Sequence, residues 1–158
     1  MDTTDRQILS ILQDGARTSN AEIARQLGMA PSAIFERIRK LEERGVIRGY
    51  SARLSPGALG RGLVAFVMVR TNECGWQQET AEKLAALPEV QEVHHVAGDD
   101  CFLLKVRTRD TEALGRLLKE RFSDIGSIRG TRTIIVLDSV KETASIPVEP
   151  EEVDRAHR

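Results

Sequence analysis

The sequence predicts an α+β protein in two parts, an N-terminal winged helix-turn-helix and a C-terminal βαββαβ domain of ferredoxin-like type. Three observations lead there. Up to about residue 54, apolar residues recur at helical spacing and the pattern is interrupted at Gly15, Gly28 and Gly45. From Leu63 onward, strand-like apolar runs alternate with two helical stretches. Between the two lies "SPGALGRG" (55–62), a glycine-containing connector with few core residues.

The first helix is expected from Thr3 to Gln13, capped by Asp2, with Ile8, Leu9, Ile11 and Leu12 facing inward and Asp14-Gly15 ending it. The second opens at Ser19. "SNAE" reads as a capping box, in which the Ser19 hydroxyl accepts from the Glu22 amide and the Glu22 carboxylate reaches back. It continues through Ile23 and Leu27 until Gly28 stops it. The third, "PSAIFERIRKLEER", starts with Pro31 in the first turn, where a missing N–H costs nothing. At about 100° per residue, its Ile34, Ile38 and Leu41 form one narrow stripe, and Gly45 closes it. "VIRGYSARLS" then suggests a short β-wing.

A glycine-led turn, "GMA", separates the second and third helices, and the third has a bare polar face; both suit helix-turn-helix geometry. In that motif the second helix enters the major groove of a duplex. Ser32, Ala33 and Glu36 are then expected to approach bases, Glu36 accepting from a cytosine amino group. Arg39, Lys40, Arg48 and Arg53 are expected on phosphates, with Ser19 and Asn20 beside them at the start of the second helix. Phe35, a quarter turn off the stripe, is expected to pack on the core edge, the other use for it being a thymine methyl.

Charge supports this placement. The whole chain of 158 residues is nearly neutral, at −1, but residues 1–61 carry ten Lys/Arg and seven Asp/Glu, whereas residues 62–158 carry thirteen and seventeen. Residues 32–61 alone hold seven basic and three acidic groups, so the positive excess begins at the third helix.

In the second part, "LVAFVMVRT" reads as a buried strand, "WQQETAEKLAAL" (76–87) as a helix halted by Pro88, and "EVQEVHHVA" as a strand. "GDD" (98–100) turns into the strand "CFLLKVRT"; Asp110 caps "TEALGRLLKERF"; and "IRGTRTIIVL" is the last strand. Helices on one sheet face leave the other needing a cover, and a second copy of the chain is the simplest one, so a dimer is expected. The domain boundaries follow: 1–54, a linker 55–62, 63–143, and a Pro- and acid-rich tail, 144–158, expected to be flexible.

The longest apolar run, Leu63–Val69, is too short to span a membrane, and Asp2 and Asp5 stand where a signal peptide would be basic. A cytoplasmic, nucleoid-associated protein is expected. Two cysteines without metal spacing, Cys74 and Cys101, argue against a disulfide framework. No phosphate loop, nucleophile elbow or zinc-helix motif is present, so catalysis is not expected. A rival reading is a metal- or redox-responsive regulator using His94, His95 and Cys101, although adjacent residues on a strand point to opposite faces.

The stretches "DTTDRQILSILQDGART", "SNAEIARQLGMAPSAIFERIRKLEERGVIRGYSARLSP", "VAGDDCFLLKVRTRD" and "TRTIIVL", in this order, are together specific. Over nearly all of residues 2–143 the chain resembles the Lrp/AsnC (leucine-responsive, or feast/famine) transcriptional regulators. The resemblance implies a winged helix-turn-helix joined to an ACT-like (RAM) effector-sensing domain. It implies dimers that assemble further, to tetramers or octamers, and an amino acid or related metabolite as effector, with no cofactor. The family's sensing loop falls on Gly98, Asp99, Asp100 and Cys101. Gly98 permits the tight turn, an aspartate is expected to pair with a ligand ammonium group, and Thr131 and Thr133 are expected to complete the pocket. The chain departs from the family pattern in Ala30, where a serine usually precedes the recognition helix, and in Cys101, where the loop often carries an aspartate; this leaves open a redox role for Cys101.

Overall fold

The computed structural model describes residues 1–72 and 78–148. They divide into two compact units. One is Met1–Arg53 together with the chain from Glu142; the other is Leu54–Lys141.

In the first unit, α1 (Thr3–Asp14), α2 (Asn20–Leu27) and α3 (Pro31–Glu43) pack around Ile8, Leu12, Ile23, Ala24, Ile34, Ile38 and Leu41. Asp2 and Asp5 form a reciprocal capping box at the start of α1. Arg37 on α3 donates to both carboxylates at 2.7 Å, so the cap of α1 also fastens α3. Ser19 caps α2 by accepting from Glu22 N–H at 3.2 Å, but the box is only half made. Glu22 instead receives Arg25 and Gln26, the guanidinium being the stronger donor at an exposed site. Gly28, at φ 66°, closes α2 in the left-handed conformation and sets the turn into α3.

The expected β-wing is not formed: residues 46–53 carry no strand. A strand needs a partner ladder, and among the described residues of this unit there is no other strand to supply one.

The second unit has the order β1 (Leu63–Thr71), α4 (Gln78–Ala85), β2 (Val90–His95), β3 (Phe102–Thr108), α5 (Thr111–Arg116), a π-helical turn (Leu117–Phe122) and β4 (Ile128–Ile135). The start of the expected 76–87 helix lies outside the described residues. Asp110 caps α5 through Ala113 N–H at 2.7 Å, and the single helix expected over 111–122 changes to π spacing at Leu117. The four strands make one antiparallel sheet in the order β2-β3-β1-β4.

Period-two alternation decides the two sheet faces. Ala65, Val67, Val69, Phe102, Leu104 and Val106 pack beneath Leu84, Leu114, Leu117 and Phe122. Phe66, Met68 and Leu103 turn the other way and are only half-buried, and Ile134, paired with Phe66, is 46% exposed.

Within the segment expected to be flexible from residue 144, Ile146 is hydrogen-bonded through its backbone to Gln13 of α1, a partner distant in sequence and invisible to composition.

Candidate DNA interface and effector site

α3 buries Ile34, Ile38 and Leu41 and turns Ser32, Glu36, Arg39 and Lys40 to solvent, with Ala33 half-buried. Its N-cap, Ala30, makes no side-chain cap, so the first turn is held by the Ala30 carbonyl, which accepts from Ala33 and Ile34. Pro31 at the first position removes one of the amides that would otherwise go unsatisfied.

Phe35 is 53% exposed and lines a cavity of about 310 Å³ with the core residues Leu12 and Ile38 and with Thr18, Asn20 and Tyr50. Its ring therefore stands at the rim of the core, open to solvent. Arg39 is not a free cation. It donates to Glu36 at 2.8 Å and Glu43 at 3.1 Å, one on either side along the helix. Glu36, the expected base reader, is therefore engaged by Arg39.

Lys40, Arg48 and Arg53 have no ion pair among the described residues, and the same holds for Arg44, which sequence reasoning passed over as a helix terminus. Tyr50 donates to Glu42 at 2.9 Å; partial burial and this bond push its hydroxyl up to about 12. Ser19 is occupied as the α2 cap, and Asn20 follows it on the cavity rim.

The expected effector residues are arranged in two groups. Gly98 adopts φ 116°, a backbone conformation that side-chain-bearing residues rarely take. Asp100, beyond the turn, is met by two guanidinium groups: Arg132 at 3.1 Å and Arg70 at 3.9 Å. Met68 is opposite Arg132 across the β1–β4 ladder, and the Arg132 guanidinium also reaches its sulfur. Thr131 and Thr133 pair with Val69 and Val67, so they stand on the helix-covered face and not with Asp100 and Arg132. Arg70 and Arg132 carried no signal in the sequence, because only the register brings them to the loop.

Cys101 corrects the disulfide expectation. It is disulfide-bonded, and no free cysteine occurs among the described residues. The other cysteine, Cys74, lies outside the described residues. The Cys101 sulfur accepts from the Thr71 hydroxyl at 3.2 Å. His94 and His95 diverge as alternation requires: His94 meets Glu92 at 3.2 Å, while His95 lies against Phe102 with ring centroids 4.4 Å apart and the planes tilted by 44°. No group of three potential metal ligands occurs among the described residues. None of their helices is long and apolar enough to cross a membrane.

Residues 1–48 match a family model for winged helix-turn-helix DNA binding, and residues 64–146 match that for the Lrp/AsnC ligand-binding domain. The chain belongs to the Lrp/AsnC family of transcriptional regulators. It is 39% identical over 148 residues to the HTH-type transcriptional regulator FL11 of Pyrococcus horikoshii, covering 94% of this chain and 97% of the relative. It is 38% identical to the leucine-responsive regulatory protein of Escherichia coli K12, covering 90% and 88%.

Among solved structures, AsnC of E. coli superposes with a TM-score of 0.86 at 32% identity, covering 93% of this chain and 99% of that one. A Neisseria meningitidis transcriptional regulator solved with L-methionine gives 0.87 at 29%, covering 93% and 96%. This Lrp/AsnC protein is accordingly a sequence-specific DNA-binding regulator with a small-molecule-binding domain, in a family of regulators and not of enzymes.

Proposed function

We propose that this Lrp/AsnC regulator binds a pseudo-palindromic operator as a dimer and alters that binding when an amino acid occupies the loop at Gly98–Cys101. The observation that carries the DNA half is the set of cations on and directly after α3 with no ion pair among the described residues: Lys40, Arg44, Arg48 and Arg53. They serve as phosphate clamps, while Ser32, Ala33 and Phe35 face the base edges. Half-sites one turn apart lie ~34 Å from centre to centre.

The effector half rests on Asp100, Arg132 and Arg70. An amino acid carries one ammonium and one carboxylate, so it complements a carboxylate–guanidinium pair that opens to receive it, ammonium to Asp100 and carboxylate to Arg132. The L-methionine bound by the Neisseria relative supports this class of ligand. Dimer formation rests on the uncovered row Phe66, Met68, Leu103 and Ile134, which a second sheet would bury; tetramers or octamers build from that dimer. The protein then acts in the cytoplasm, on the nucleoid.

A thermal-shift panel of the amino acids tests the effector. At about 100 times Kd a ligand adds about 2.7 kcal/mol, a rise of roughly 5–10 °C for a chain of this size. Asp100→Ala and Arg132→Ala should abolish the rise and leave unliganded DNA binding intact. A full rise in both variants refutes the placement. Sedimentation as a monomer at micromolar concentration refutes the dimer.

A further inference from the structure

After β4 the chain leaves the second unit and returns to the first at Glu142. There Gln13 grips Ile146 with both halves of its amide. Its Nε2 donates to the Ile146 carbonyl at 2.8 Å, and the Ile146 N–H donates to its Oε1 at 2.7 Å. A neighbouring strand residue makes the same two-bond exchange, and here a side chain supplies it. Just upstream, Thr143 Oγ1 accepts from Ser145 N–H at 3.1 Å. Residues 143–148 line one cavity of about 500 Å³ with Leu9, Leu12, Val46, Ile47 and Tyr50. The Ile146 residue itself stays 73% exposed, so the segment is held by its backbone and not by burial.

We propose that residues 143–148 are a strap docked on the helix-turn-helix unit through Gln13, giving that unit a second, hydrogen-bonded tie to the sensing domain besides the covalent connector at 54–62. A unit hung from one connector swivels about it; a unit tied at two points has far less travel. In a dimer the strap therefore holds the two recognition helices to one half-site separation. This consequence, though not the docking, rests on the operator reading above. Two net hydrogen bonds favour the docked strap by roughly 5- to 150-fold, so a modest push releases it.

Hydrogen exchange on the intact protein tests the docking. The Ile146 amide should exchange slower than in a free peptide by a factor in that range in wild type, and at the free-peptide rate in Gln13→Ala. Gln13→Glu, which keeps the acceptor and loses the donor, should fall between. Gln13 is outside the buried core cluster, so the melting midpoint should not move.

The second arm uses a duplex from the protein's own upstream region with about 5 bp, half a turn, inserted between the half-sites. Wild type should lose at least about tenfold in affinity and Gln13→Ala less than about threefold, where tenfold is 1.4 kcal/mol. Equal exchange in wild type and Gln13→Ala overturns the docking. A protected strap with both proteins equally intolerant of the insertion overturns the tie. Wild type that binds no DNA sinks the operator reading alone, since exchange decides the docking without it.

Discussion

Replacing Lys40 by alanine should flatten the salt dependence of operator binding, and replacing Arg39 should not. On and directly after α3, each subunit presents four cations without an ion pair among the described residues, Lys40, Arg44, Arg48 and Arg53, hence eight in the proposed dimer. At about 0.9 counterions released per phosphate, the slope of log K against log salt is roughly −7, and affinity falls by about four orders of magnitude between 50 and 200 mM salt. Lys40→Ala removes two contacts per dimer, so its slope is roughly −5 and its loss about three orders. Arg39 is already neutralised by Glu36 and Glu43. Its removal bares two carboxylates beside the phosphates, which weakens binding at low salt without subtracting a released counterion. Fluorescence anisotropy on an upstream-region duplex across four salt concentrations measures both slopes. If Arg39→Ala flattens the slope as much as Lys40→Ala, Arg39 leaves its glutamates for phosphate on binding, and counting unpaired cations in the free protein is refuted.

Ile34→Ala, at a fully buried position of α3, should cost about 2–5 kcal/mol in urea unfolding of the intact chain; a change below 1 kcal/mol would be inconsistent with its burial. The guanidinium of Arg25 and the Gln26 amide hold the Glu22 carboxyl at about 2, below its unfolded value. Glu22 therefore favours folding fully above about pH 4.5 and loses that contribution as pH falls toward 2; Glu22→Gln should flatten the acid limb of a melting-midpoint profile over that window. Phe35→Ala should relax preference at a single base pair with little change in salt slope, as read by competition with substituted duplexes. Unfolded but unreduced protein should show no free thiol to Ellman's reagent, and reduced protein two per chain.

Local rules carried most of the first unit. Gly28, Pro31 and Gly45 bound helices where their backbone preferences place them, and Ile34, Ile38 and Leu41 made the stripe that their spacing announced. Glu36 and Glu43 stand three and four residues from Arg39, so that pairing was legible by the same helix geometry and was overlooked in favour of a phosphate role. What could not be read locally depended on partners far along the chain. Asp100 meets Arg132 only because β4 lies beside β1, and Thr131 and Thr133 lie across the sheet from that pair because the register decides faces. The wing failed for the same reason in reverse: "VIRGYSARLS" has strand composition but no neighbouring strand among the described residues of its unit. Gln13 and Ile146 lie at opposite ends of the chain, and nothing in a Pro- and acid-rich tail announces an anchor.

Arg37 binds the carboxylates of Asp2 and Asp5, and the amide of Asp2 closes the same cap. Asp2 and Asp5 are thus wired to the helix meant to read DNA. An affinity tag or a bulky reporter fused at the amino terminus would press on that helix from behind, and two laboratories with differently tagged preparations would measure different operator strengths for one protein.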